Sequence, residues 1–577
     1  MRRLARWSKL AWTVLSRTAE VAYRLTLMLT MLTFLGLAGA AVSLFLLRPE
    51  LPERMTLQIS LPGGLSDMSG FSMLLGALGG TPPIALFDVV DALYSAAEDP
   101  RVTAVVAELG EGSFELAQNQ AIAAAVTAVR AAGKRAYVFS DSFGELSPGY
   151  AAYHLASAFE EIWLQPVGQV AATGIALESR FYGGLLERLG IQPLFGFREE
   201  YKTAQHHLLY GSATAAQAAM MQALAEDLQA QSEAEIARGR GRPTNEITAL
   251  VAGAPYADQE ALALGLVDRL GYRDQLLAMA EERHGALVPV TGYLRRIDRR
   301  YSRESATAIG LVAIEGQLAR GGGQGAGLLG GRLEGAASIA ARIDRLAGQE
   351  RIRAIILRLD SPGGSPAAAE TIHRAVAQAR AKGKRVIVSM AGLAGSGAYW
   401  LAAGADAILA EPATLTGSIG VVGGKLDLGP ALQAFGIGHQ QSEAAPHAGM
   451  WSMARGYALD ELDRREALLD ATYAAFIARV AAGRGLSEAQ VRELAKGRVW
   501  TGRQAMALGL VDRLGGLEAA IAEARAELGL AADAPVTLVR TGQPGLPSLP
   551  ALFGSLLGTL GASLRLHFET VNLHITA

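Results

Sequence analysis

The chain has no cysteine among its 577 residues. That excludes disulfides, thiolate catalysis and cysteine zinc sites. It leaves the compartment open, since an oxidising space does not demand disulfides. Histidine is scarce as well. The nine histidines are scattered, without HExxH or a similar paired-ligand spacing, so a metal site is not expected. Charge of one sign is also lacking. A net charge of −2 provides no overall basic field for nucleic acid. What the chain does have is length and apolar content. Half of its residues are hydrophobic, and 577 residues suffice for two to four domains with sizeable cores.

The N-terminal 24 residues carry Arg2, Arg3, Arg6, Lys9, Arg17 and Arg24 against one acid, Glu20. Leu25–Leu47 then runs 23 residues without a charge. That length spans a bilayer core with some tilt. The basic residues precede it, so segment 1–24 is expected in the cytoplasm and the body on the far side. Ala38-Gly39-Ala40 resembles a signal-peptidase site. Apolar sequence continues past it to Leu47, which favours an uncleaved transmembrane anchor over 25–47.

From Met55 onward the chain reads as α/β. MTLQIS at the start, Val102–Leu109, Lys134–Phe139 and Glu161–Pro166 have the character of strands. Helical patterns such as FELAQNQAIAAAVTAVRAAG lie between them. This alternation predicts βα units and mostly parallel sheet. The pattern then repeats. Ala263–Gly271 reads ALGLVDRLG, and Ala507–Gly515 is the same nine residues 244 positions later. GKR at Gly133–Arg135 recurs at Gly383–Arg385. LERLGIQ around Gly190 answers LQAFGIG around Gly436, at an offset of 246. Anchors in the same order at nearly constant offset indicate a tandem duplication. Repeat one covers 55–290 and repeat two 308–540. The arginine-rich linker 291–307 reads as a solvated connection. Arg320–Arg332 is a glycine-rich insertion without lysine, which suits a mobile loop beside a site better than a phosphate cradle. The apolar tail, 541–577, has a proline-free core too short to span a membrane. It is expected to pack on the body or to lie on the membrane surface.

Ala391–Trp400, AGLAGSGAYW, places Ser396 between Gly395 and Gly397 after a strand-like run. Small neighbours at a strand-to-helix turn allow close approach of a substrate backbone, so Ser396 is a candidate nucleophile. A serine needs a neighbour to take its proton. The duplication supplies a control. Ser396 minus 246 is Tyr150, so repeat one has no nucleophile there. Lys202 plus 246 is Ala448, and repeat two has no lysine between Lys425 and Lys496. Each repeat keeps one half of a serine–lysine pair. Lysine acts as a base only when neutral, and burial at a repeat–repeat interface would lower its pKa. Arg353–Pro366 ends a buried strand in Ser-Pro-Gly-Gly, where glycine amides can face an oxyanion. Gly364 and Gly397 would supply the two donors. A Ser-His-Asp arrangement with His373 or His439 is conceivable, though no sequence feature selects either histidine. An acyl-CoA enzyme of the crotonase type and a non-catalytic membrane scaffold are the rival readings.

Four motifs together carry a resemblance. They are Asp360-Ser361-Pro362-Gly363-Gly364, Gly395-Ser396-Gly397-Ala398-Tyr399-Trp400, Thr416-Gly417-Ser418-Ile419-Gly420-Val421 and Tyr201-Lys202-Thr203-Ala204. In this order they resemble signal peptide peptidase A in its long, membrane-anchored tandem form, over roughly residues 50–540. The resemblance implies a Clp-protease/crotonase-like fold in each repeat and a serine peptidase that uses no cofactor. It makes Ser396 the nucleophile, Lys202 the general base and Ser418 the serine that orients the lysine. Gly364 and Gly397 match the oxyanion positions. The family cleaves residual signal peptides within their apolar segments. The resemblance further implies a bacterial inner-membrane protein with its catalytic body in the periplasm, and a homo-oligomeric ring such as a tetramer. The arginine-rich N-terminus and the apolar tail have no place in that pattern.

Overall fold

The structure is a computed structural model. It describes residues 50–68 and 84–541, apart from 111, 113, 146–147, 298–299, 302–304 and 327–331, together with Met28, 30–33 and Gly36. The basic segment 1–24, most of the apolar run 25–47 and the tail beyond Thr541 lie outside the described residues. Among the described residues no helix is long and apolar enough to cross a membrane.

Two mostly parallel sheets, one per repeat, form the body; in the second, Leu415–Gly417 pairs antiparallel with Val499–Thr501. The first has six strands in the order Arg269–Leu270, Glu161–Leu164, Arg135–Ser140, Val102–Leu109, Met55–Leu61 and Ala286–Pro289. Every neighbouring pair in it is parallel. The second has eight. Its central strands are Ala308–Glu315, Ile352–Ser361 and Arg385–Gly395, with Thr537–Thr541 on one edge. Strands buried on both faces read as continuous apolar runs, as Ala354–Leu357 does; all four of its residues are fully buried.

The duplication is visible in matched parts. Helices Ala215–Arg240 and Leu459–Arg484 each have 26 residues, and each ends at a glycine in the left-handed region, Gly241 and Gly485. Tyr153 donates its hydroxyl to the carbonyl of Leu266 at 2.8 Å, and Tyr399 does the same to Leu510 at 2.8 Å. Arg240 pairs with Asp268, and Arg484 with Asp512. The tyrosine pair fixes the local offset at 246, which confirms Tyr150 as the counterpart of Ser396.

The repeats interlock. Strand Gln192–Phe197 of repeat one pairs antiparallel with Val422–Asp427 of repeat two. Arg198 then bonds Glu466 and Asp470 on the long helix of repeat two. On the other side Asp227 accepts from Thr501 and Arg503. Gln120 accepts the Ala413 N–H at 2.8 Å, and Arg358 binds Asp67 through two buried hydrogen bonds.

The linker differs from expectation. Arg300 is not a solvated charge: it bonds Glu518 at 3.0 Å and Glu98 at 3.2 Å and covers the rings of Tyr94 and Tyr301. Tyr301 is buried and donates to Glu518. An arginine flanked by aromatic rings and two carboxylates is better paired than hydrated, so this part of the linker packs on the body.

Candidate active site

Strand Arg385–Gly395 outruns its repeat-one counterpart, Arg135–Ser140, by five residues at its C-terminal end. The extension is braced from both sides. Thr414 and Thr416 donate to the carbonyls of Ala391 and Ala394, and the Asp360 carboxylate accepts the Leu393 N–H at 3.1 Å. The chain then turns sharply at Ser396, with φ 55° and ψ −120°, into the buried helix Gly397–Ala402. A non-glycine residue there is strained by about 1–3 kcal/mol, and such strain persists only where the surroundings impose it. Here the Ser396 N–H is held by the carbonyl of Gly417 at 2.8 Å. The turn presents the hydroxyl ahead of the helix N-terminus.

Lys202 arrives from repeat one, on the turn that follows Gln192–Phe197. Its Nζ lies 3.0 Å from Ser396 Oγ, 3.0 Å from Ser418 Oγ and 2.9 Å from the Ser418 carbonyl. The side chain is only 3% exposed. Burial lowers its pKa from the ordinary lysine range to about 7, and no carboxylate opposes the shift. Ser418 is itself held at φ 50°, with its N–H on the carbonyl of Arg498 at 2.7 Å.

The Ser-Pro-Gly-Gly turn lies against the serine. Gly363 and Gly364 have φ of 91° and 150°. A Cβ at Gly363 would stand 2.4 Å from the Gly397 nitrogen, so only glycine fits there. The flanking bonds use the Gly363 carbonyl, which accepts from Leu318 N–H, and the Ser365 N–H, which goes to the Leu318 carbonyl. Between them the Gly364 nitrogen lies beside Gly397; a Cβ built on Gly397 would sit 3.2 Å from it. The N–H of Gly397 is at the first helical position and has no acceptor within its helix. The arrangement offers two amides beside one hydroxyl and a buried amine. The glycine-rich insertion adjoins it through Gln317–Ala319, which bridges to Gly364. Residues 327–331 of that insertion lie outside the described residues.

The sequence-selected residues Ser396, Lys202, Ser418, Gly364 and Gly397 are thus brought together. Among the described residues the titratable group at hydrogen-bond distance from Ser396 Oγ is Lys202. His373 instead rests against Gly404, and His439 is exposed. Tyr150 is buried at the start of its helix in repeat one, and Ala448 is exposed in a turn of repeat two. Sequence reasoning missed the turn Lys496–Arg498, which touches both Lys202 and Ser418. The signal was present in the repeats: aligned on ALGLVDRLG, Lys496-Gly497-Arg498 stands opposite Ala252-Gly253-Ala254.

Known proteins match this chain over both repeats. It is 29% identical over 428 residues to the chloroplastic serine protease SPPA of Arabidopsis thaliana, covering 72% of this chain and 62% of that protein. It is 29% identical to Protease 4 of Haemophilus influenzae, covering 76% of this chain and 72% of the relative. Protease 4 of Salmonella typhi is 29% identical over 546 residues, or 90% of this chain and 86% of the relative. These are peptidases, which leaves no support for the acyl-CoA or scaffold readings. Peptidase family S49 matches residues 142–287 and 378–531, more than half of the chain and part of each repeat. The chain belongs to that family and is a serine peptidase.

Proposed function

We propose that this peptidase works through a dyad shared by its two repeats, and that it degrades cleaved signal peptides within their apolar segments. The observation that carries the dyad is the 3.0 Å separation of Lys202 Nζ and Ser396 Oγ around a buried amine. With a pKa of about 7, a large fraction of Lys202 is neutral near neutral pH. A neutral amine has two hydrogens and one lone pair. The hydrogens go to the Ser418 carbonyl and hydroxyl, which turns the lone pair toward Ser396. Ser396 passes its proton to Nζ as Oγ bonds to the substrate carbonyl carbon. The charge that develops on the carbonyl oxygen meets the amides of Gly364 and Gly397. Lys202 then protonates the departing amine, and the acyl-enzyme remains. A water molecule loses its proton to Lys202, attacks the ester and restores the serine.

The substrate class rests on a putative signal peptide peptidase of Enterococcus faecium, 28% identical over 207 residues. The apolar run 25–47 fits a single-pass anchor in a bacterial inner membrane, with the N-terminus cytoplasmic and the body periplasmic. A membrane-tethered body would meet peptides left in the bilayer.

The duplication supports an assembly of chains. Inside the chain Gln192–Phe197 pairs with Val422–Asp427. Their duplicate positions, 438–443 and 176–181, have no strand partner. Exposed apolar residues lie near both: Leu177, Tyr182 and Leu185 in repeat one, Phe435, Ile437 and Trp451 in repeat two. Head-to-tail contact between chains would cover both faces and close a homo-oligomeric ring.

The test is digestion of a synthetic signal peptide by the full chain and by Ser396→Ala, with fragments read by mass spectrometry. Internal cuts within the apolar segment, absent from the variant, are expected. Cleavage by Ser396→Ala at the wild-type rate would end the dyad reading.

A further inference from the structure

We propose that the turn Lys496–Arg498 of repeat two is the positioning element that sets Lys202 against Ser396, with Gly497 as its spacer and Arg498 as its anchor. The inference rests on the dyad reading above.

The turn is wedged between the two loops that meet at the site. Toward repeat one, the Lys496 carbonyl accepts the Tyr201 N–H at 3.0 Å, one residue before the base. Toward repeat two, the Gly497 N–H donates to Ile419 at 3.1 Å and the Arg498 carbonyl accepts from Ser418 at 2.7 Å. Three backbone bonds therefore hold the lysine loop and the serine-418 loop to one short strut. The strut passes very close to the base. A Cβ at Gly497 would lie 2.4 Å from the Lys202 nitrogen and 2.7 Å from its Cα. Gly497 also has φ 73°, a region that glycine enters without cost. A methyl group there must push the Lys202 backbone away from Ser396 or pull the turn out of place.

Arg498 fixes the strut from its other side. Its guanidinium lies 5.1 Å from the ring centre of Tyr201 and 4.5 Å from that of Trp500. Tyr201 belongs to the lysine loop and Trp500 to the strand that pairs with Leu415–Gly417. Stacking on both rings clamps the two repeats together at the dyad. The duplication argues the same way. Repeat one, which has tyrosine in place of the nucleophile, has Ala254 where repeat two has Arg498. The glycine recurs there as Gly253, but both charged neighbours are gone.

The charged residues beside Lys202 on its own turn are Arg198, Glu199 and Glu200, and the strut carries Lys496 and Arg498. Arg198 is paired with Glu466 and Asp470, and Lys496 with Glu493. The 415–421 turn and the helix Gly397–Ala402 carry no charged side chain. Displacing Lys202 from this setting would hydrate its amine.

The experiment measures kcat and KM against pH for the full chain, for Gly497→Ala and for Arg498→Ala, on the synthetic signal peptide, with Ser396→Ala alongside. A misplacement of the base by about 1 Å predicts a fall in kcat of about 100-fold for Gly497→Ala, with KM little changed. The rising limb of its pH profile should move to higher pH, because a wetter lysine is harder to deprotonate. Arg498→Ala should move rate and limb in the same directions by about 10-fold in kcat. It removes no backbone bond, so it decides the matter if Gly497→Ala does not fold. Unchanged rates in a folded variant overturn the proposal. So does a fall in kcat with the limb unmoved, which would mark a general structural role. Neither result touches the dyad itself, which stands or falls with Ser396→Ala.

Discussion

Repeat one and repeat two are built alike and equipped differently. Both have the parallel sheet, the 26-residue helix with its glycine stop, the tyrosine-to-carbonyl bond and the arginine–aspartate pair. Only repeat two carries the strand Arg385–Gly395 five residues beyond its counterpart, to a strained serine, and it has Gly363-Gly364 after Ile352–Ser361 where repeat one reads Gly110-Glu111-Gly112 after Val102–Leu109. Only repeat one follows its crossing strand, Gln192–Phe197, with a buried lysine. The shared features maintain the fold in each half. The unshared ones converge on a single point between the halves. Comparing the repeats therefore separates folding from chemistry without any second protein.

The largest effects should come from the unshared residues. Ser396→Ala is expected to cut kcat/KM for peptide cleavage by at least about 10⁴-fold, as loss of a nucleophile does elsewhere. Lys202→Arg should lose about 10³-fold or more, since arginine stays protonated and cannot accept the serine proton. Steady-state assays with the synthetic signal peptide check both. Substantial activity in Lys202→Arg would show that another group is the base, and would remove repeat one from the chemistry.

The pH dependence sharpens the same point. The proposed base is active when neutral, and burial lowers the Lys202 pKa to about 7. Activity should thus be low in acid and rise with pH through about 7, rather than near the free-lysine value of about 10.4. A kcat profile from pH 5 to 10 measures the limb. A midpoint near that of free lysine would mean that the amine is not desolvated in the working enzyme.

Ser418→Ala should have a smaller effect, about 10- to 100-fold in kcat. It removes the hydroxyl that orients Nζ but leaves the Ser418 carbonyl in place. The smallest effects belong to the shared features. Tyr153→Phe and Tyr399→Phe should each cost about 1–2 kcal/mol in urea unfolding, through one lost buried hydrogen bond and an unpaired carbonyl. Near-equal costs are expected, because the two bonds have the same length. A large inequality would show that the repeats no longer share one folding logic.

Much of this was legible in the chain. The αβ alternation, the duplication and four of the proposed site residues, Ser396, Lys202, Gly364 and Gly397, follow from local signatures of a nucleophile turn, an oxyanion turn and a tandem repeat, while Ser418 comes from the family resemblance. What was not legible depends on partners distant in sequence. The packed linker residues Arg300 and Tyr301 look solvated among other arginines until Glu98, Glu518 and Tyr94 surround them. The strand continuing to Gly395 was hidden because Ala391–Gly395 has little strand propensity; Thr414, Thr416 and Asp360 hold it extended. The strut Lys496–Arg498 belongs to none of the four motifs. Its role appears only when Gly497 is found against Lys202.

The central claim is that one chain builds its own site from both repeats, and co-expression of two dead chains tests it most directly. Ser396→Ala chains keep Lys202, and Lys202→Ala chains keep Ser396. In the structure the strand pair Gln192–Phe197 with Val422–Asp427 delivers the lysine to the serine within one chain. Mixed assemblies purified after co-expression should therefore contain no site with both residues, and signal-peptide cleavage should stay at the level of the single variants. Recovery to a sizeable fraction of wild-type cleavage would contradict this, and would show that the lysine and the serine meet between subunits.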